Sequence, residues 1–96
     1  MDIDNLKTQY GEIIEIEYGG EKYYFRKPAR QEYKRYYDKL LESVYDACCI
    51  LIIDTCVHPK KEEVARVIEQ DPTMPVKIVG RLTDFFGSQV SNVRKI

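Results

Sequence analysis

The chain has 96 residues, with 15 lysines and arginines against 16 aspartates and glutamates and a formal net charge of -1, which is room for one domain with a modest core and gives no global field for a polyanion. Its three cysteines, Cys48, Cys49 and Cys56, are an odd number with two adjacent, so they suit reduced thiols in a cytoplasmic compartment rather than a disulfide framework. The longest apolar run lies between Asp46 and Asp54, far too short for a membrane span, and the acidic start Met1-Asp2-Ile3-Asp4 does not read as a signal peptide.

Taken in chain order, residues 2–10 suit a short helix with Asp2 or Asp4 as its cap and Gly11 as its stop. Residues 12–27 read as a β-hairpin: Glu12 to Tyr18 alternates, Glu21 to Lys27 is aromatic-rich, and Gly19-Gly20 supplies a two-residue loop that tolerates positive φ at both positions. That loop pairs Tyr18 with Glu21, Glu17 with Lys22, Ile16 with Tyr23 and Ile14 with Phe25. Ile14, Ile16, Tyr23 and Phe25 then form a dry face, and Glu15, Glu17, Lys22, Tyr24 and Arg26 a charged one.

Pro28 opens a helical pattern predicted to run as one long helix over 29–56, about 42 Å at 1.5 Å per residue. On a wheel stepping about 100° per residue, Tyr33, Tyr37, Leu40, Val44, Ala47 and Leu51 share one side, and Gln31, Asp38, Lys39, Glu42 and Asp46 the other. From Ala47 to Ile53 the pattern turns apolar all round, because Cys49, Ile50 and Ile53 take angles held earlier by charges. Something has to cover that side, either later helices or a partner chain. Ala29 stands where a capping serine would sit ahead of Glu32, so the helix start looks poorly capped. Val57-His58-Pro59 breaks the pattern. Helices over 60–70 and 75–86 follow, the second with Val76, Val79, Leu82, Phe85 and Phe86 apolar, and a polar tail occupies 88–96. The fold class predicted is α+β: one domain over residues 1–96, its N-terminal hairpin packed on a long helix and followed by two shorter ones.

No residue pattern carries catalysis. Cys49, Cys56 and His58 lack metal-ligand spacing and sit among isoleucines, where free cysteine packs as core. A thiol nucleophile paired with His58 has no orienting third group. No catalytic residue, cofactor or metal is expected. Nucleic-acid contact has more in its favour, because Arg26, Lys27, Arg30, Lys34 and Arg35 are interleaved with Tyr23, Tyr24, Phe25, Tyr33, Tyr36 and Tyr37. Glu21, Glu32 and Asp38 dilute that patch, so a small nucleic-acid-binding regulator stands as the alternative rather than the first reading. The first reading is protein contact through Cys49, Ile50 and Ile53 with the last helix.

The order of these features resembles the small tail assembly chaperones of long-tailed bacteriophages and prophages. The features are Tyr10-Gly11 before a short hairpin, Tyr24-Phe25-Arg26-Lys27-Pro28 followed by Arg30, a long helix, the Val57-His58-Pro59 break, and a last helix ending Phe86-Gly87. The chain departs from that family at Ala29, where serine or threonine is usual, and after Pro59, where an acidic residue is usual. The resemblance implies a protein of the bacterial host cytoplasm that coats the apolar helices of a tape-measure protein during tail assembly. It implies no enzymatic activity, a possible homo-oligomer, and contacts through Cys49, Ile50, Ile53, Val79, Leu82 and Phe86. It further implies that this chain is the short form where a longer one is made by frameshifting.

Overall fold

A computed structural model describes residues 2–87 and 94–96. The protein is α+β, in the order α1 (Ile3–Tyr10), β1 (Ile13–Tyr18), β2 (Glu21–Arg26), α2 (Arg30–Leu40), α3 (Val44–Thr55), β3 (Cys56–His58), α4 (Lys61–Gln70) and α5 (Met74–Gly87). The expected tail over 88–96 lies outside the described residues except for its last three.

Local chemistry sets each boundary. Asp2 caps α1 by accepting from the Asn5 N–H at 3.2 Å, and Gly11 ends it at φ 80°. Gly19 and Gly20, at φ 61° and 82°, form the tight hairpin turn. The turn fixes the expected register: Tyr18 faces Glu21, Glu17 faces Lys22, Ile16 faces Tyr23 and Ile14 faces Phe25. Tyr23 and Phe25 are buried in the core, with Ile14 and Ile16 packed against it.

The single long helix expected over 29–56 is instead two. α2 ends at Leu40, and Ser43 adopts an extended conformation and caps α3 by accepting from the Asp46 N–H at 3.1 Å. The physical reason is visible in Ser43-Val44-Tyr45-Asp46, an N-terminal capping signature directly ahead of the apolar run. The chain folds back there, so that α2 packs along α3 as a helical hairpin. α3 turns Ala47, Cys48, Leu51, Ile52 and Thr55 inward, at the spacing of one helix face. Thr55, the buried polar residue of the set, donates its hydroxyl to the Leu51 carbonyl at 2.8 Å.

The helical pattern breaks after α3 as expected, but the break is itself a structured element. Cys56–His58 is a third strand: Cys56 pairs with Phe25 and His58 with Tyr24, giving an antiparallel sheet of order β1-β2-β3 with β1 at one edge. α4 contributes Val64 to the core, and α5 contributes Met74, Ile78, Val79, Leu82 and Phe86. The apolar middle of α3 is therefore covered within the chain, by α2, α4, α5 and β2. Asp71 joins the hairpin to the α4–α5 link, accepting from the Tyr18 hydroxyl at 2.6 Å and the Thr73 hydroxyl at 2.8 Å. Those hydrogen bonds, the tyrosine's foremost, hold its carboxyl below the usual aspartate range.

Candidate functional site

Burial pushes all three thiols upward, with Cys56 at about 11, where its Sγ–H donates toward the His58 carbonyl at 3.3 Å. At neutral pH such groups are protonated and poor nucleophiles. Among the described residues no three His, Cys, Asp or Glu side chains gather closely enough to hold a metal ion.

The basic stretch is brought together on the α2 side but is largely neutralised. Arg26 makes a two-pronged pair with Glu32, 2.7 Å at each prong, and also donates to the Asp54 carbonyl at 2.9 Å. Arg35 pairs with Asp54, Lys34 with Asp38 at 2.9 Å, and Lys39 with Glu42 at 2.8 Å. Of the five residues named for nucleic-acid contact, Arg26, Lys34 and Arg35 are thus held by acids. Lys27 and Arg30 stand exposed beside them. The Arg26–Glu32 pair also completes half of a capping box: Glu32 Oε1 accepts from the Ala29 N–H at 2.8 Å, while the alanine has no oxygen to return the bond. The Arg26 guanidinium holds the Glu32 carboxyl below the ordinary glutamate range.

Three of the six residues expected to touch a partner are core instead. Val79, Leu82 and Phe86 are buried against α3 and the sheet, and a partner reaches them only by opening the fold. Burying them is what a domain of this size needs, since it has little other apolar surface to spend on a core. Cys49, Ile50 and Ile53 are half-buried on α3, with Ile53 packed on the core.

Four of the exposed large apolar side chains gather elsewhere, at the corner where α2 turns into α3, while others such as Val76 and Phe85 stand apart on α5. Leu41 is 90% exposed, Tyr37 62%, Val44 58% and Tyr45 40%. Tyr37 and Leu41 are one helical turn apart, and Val44 and Tyr45 open the next helix, so the four share one end of the helical hairpin. Tyr45 lies beside Cys49, one turn on, which extends the corner down α3 as a half-buried stripe toward Ile53. On a continuous helix Tyr37 and Val44 fall on the inward side. The three-residue link at 41–43 resets the phase and turns them out. The capping signature at Ser43 was the signal that locates this corner.

The chain belongs to the family described as Domain of unknown function (DUF6848), which matches residues 6–95. No curated protein matches it in sequence. Among solved structures it is similar to the uncharacterised protein rbstp2171 from Bacillus stearothermophilus. That likeness has 25% identity and a TM-score of 0.84, and covers 98% of this chain and 100% of the other.

Proposed function

We propose that this member of the family is an assembly chaperone that binds an apolar helix of a tape-measure protein in the bacterial host cytoplasm, with the α2–α3 corner as its contact surface. The observation that carries the reading is that four large apolar side chains, Tyr37, Leu41, Val44 and Tyr45, are exposed together at one corner. A small soluble domain tolerates such a patch where it serves binding. An amphipathic helix laid on a helical hairpin buries its anchors at positions i, i+3 and i+4. The half-buried Cys49, Ile50 and Ile53 extend that contact along α3. The resemblance to the small tail assembly chaperones names the partner, and no catalytic group is needed for the task. The same corner supports weak self-association when no partner is present.

The test is calorimetric titration of the purified chain with helical fragments of a tape-measure protein, alongside Leu41→Asp and Val44→Asp. Both variants should bind at least tenfold more weakly while melting where the parent melts. Undiminished binding by both would discard the corner as the contact surface.

A further inference from the structure

A second surface lies on the opposite side of the sheet from β3. Register and hydrogen bonding place the backbone groups of Ile14, Ile16 and Tyr18 toward β2, as the 3.4 Å bond from the Lys27 N–H to the Glu12 carbonyl shows for the next even position. The N–H and C=O groups of Ile13, Glu15 and Glu17 therefore point away from β2, and among the described residues no strand takes them up. Beside this edge runs a cleft of about 620 Å³ lined by Ile14, Glu15, Ile16 and Glu17 of β1 and, across from them, by Arg81, Asp84 and Phe85 of α5. A smaller cleft of about 370 Å³ continues it past Tyr18 to Lys77. Phe85 is 59% exposed there.

Edges left open in native sheets are usually blunted by lysine, proline, a bulge or very short length. β1 has six residues, no lysine, no proline and an unbroken register. What it does carry is acid: Glu15 and Glu17 lie exposed on the outer face of the edge. Glu15 is engaged by the Tyr24 hydroxyl at 2.6 Å and Lys22 at 3.9 Å, whereas Glu17 has no ion pair among the described residues. Pairing with a second copy of β1 sets Glu15 opposite Glu15 or Glu17 of the other strand, and like charges facing across a seam are destabilising. A strand with lysine or arginine at alternate positions reverses the sign of that interaction, and its other face lies on the side of Ile14, Ile16 and Phe85.

We infer that β1 is a docking edge for an extended protein segment of alternating apolar and basic residues, which adds to the sheet as a fourth strand with its apolar face against α5. This contact is independent of the helix-binding corner. Its recognition is backbone pairing for affinity and the two glutamates for sign.

The experiment is an NMR titration of the full chain with a capped octapeptide alternating valine and lysine, and with one alternating valine and glutamate. The lysine peptide should shift the amides of Ile13, Glu15 and Glu17, slow their hydrogen exchange, and bind about fivefold or more tightly than the glutamate peptide. Glu17→Lys should largely erase that preference, and Glu15→Lys combined with Glu17→Lys should invert it. N-methylation of the lysine peptide along its pairing edge should abolish binding, and Leu41→Asp should leave it unchanged. Equal binding of the two peptides, shifts centred on Tyr37 to Tyr45 instead of β1, or β1 amides already protected by dimerisation without peptide would each overturn the inference.

Discussion

Glu32→Gln tests how the hairpin is fastened to the helices. Glu32 is the meeting point of three elements: its two oxygens hold Arg26 at the end of β2, one of them accepts the Ala29 N–H ahead of α2, and Arg26 in turn caps the Asp54 carbonyl near the end of α3. The side chains of the pair are 24% and 20% exposed, sheltered enough that solvent screens them only in part. Hydrogen bonds to charged groups contribute about 1.5–3 kcal/mol. Glutamine keeps the bond from the Ala29 N–H and one neutral contact to Arg26, so the expected loss is about 1–2 kcal/mol at pH 7. With an m-value of roughly 1–1.5 kcal/mol/M for a domain this small, the urea midpoint should fall by about 1 M. The pH dependence fixes the cause. Glu32 has a folded pKa below its ordinary value of 4.5, so its contribution is whole at neutral pH and is lost as the pH falls from that value through the lower folded one. Parent and variant midpoints should therefore draw together as the pH falls below 4.5 and through the lower folded value, and the other acid-shifted carboxylates, Glu42 and Asp71, cancel because both proteins carry them. Equal midpoints at pH 7, or a gap that does not narrow on acidification, would show that the ion pair does not fasten the hairpin.

The two α2–α3 caps predict opposite signs. Ala29→Ser supplies the oxygen that the capping box lacks and should stabilise by about 0.5–2 kcal/mol, whereas Ser43→Ala removes the bond to Asp46 and should cost a similar amount. Each kcal/mol is worth about 4–8 °C of Tm for a domain of this size, so thermal melts separate them, and a rise for Ser43→Ala would contradict the capped break. Leu82→Ala should cost about 2–5 kcal/mol because the side chain is fully buried, while Leu41→Ala should stay within about 0.5 kcal/mol of the parent. Comparable losses from the two in urea unfolding would refute the assignment of one to the core and the other to the surface.

What the residues disclosed and what they concealed divide along physical lines. The hairpin register was legible because two glycines fix the loop length, and a slip of one residue would exchange Ile14 and Ile16 for glutamates on the core face. The third strand was not, since Cys56-Val57-His58 has too few residues to alternate and becomes a strand only by meeting Tyr24 and Phe25. For α5, the apolar stripe was plain, but a stripe alone does not say whether it covers its own chain or another. The break at Ser43 was written in its capping signature. It was masked because Leu40, Leu41 and Val44 keep the apolar spacing running across the junction, and a helical wheel has no term for a cap.

That one break decides where apolar surface is left over. An unbroken helix of about 42 Å leaves the all-round apolar stretch from Ala47 to Ile53 in need of cover along its outer side. Folding at 41–43 brings α2 back along α3, and with α4 and α5 it closes over Leu51 and Ile52 completely. The cost of the fold falls at the corner itself, where Leu41 and Val44 are left 90% and 58% exposed. On the proposed reading, the contact surface therefore lies at the bend and not in the middle of the helix. A variant that straightens the junction, Ser43→Ala combined with Glu42→Ala, should lose the corner and the helix binding together if the bend makes the surface. If binding survives straightening, the half-buried stripe of Cys49, Ile50 and Ile53 carries it instead.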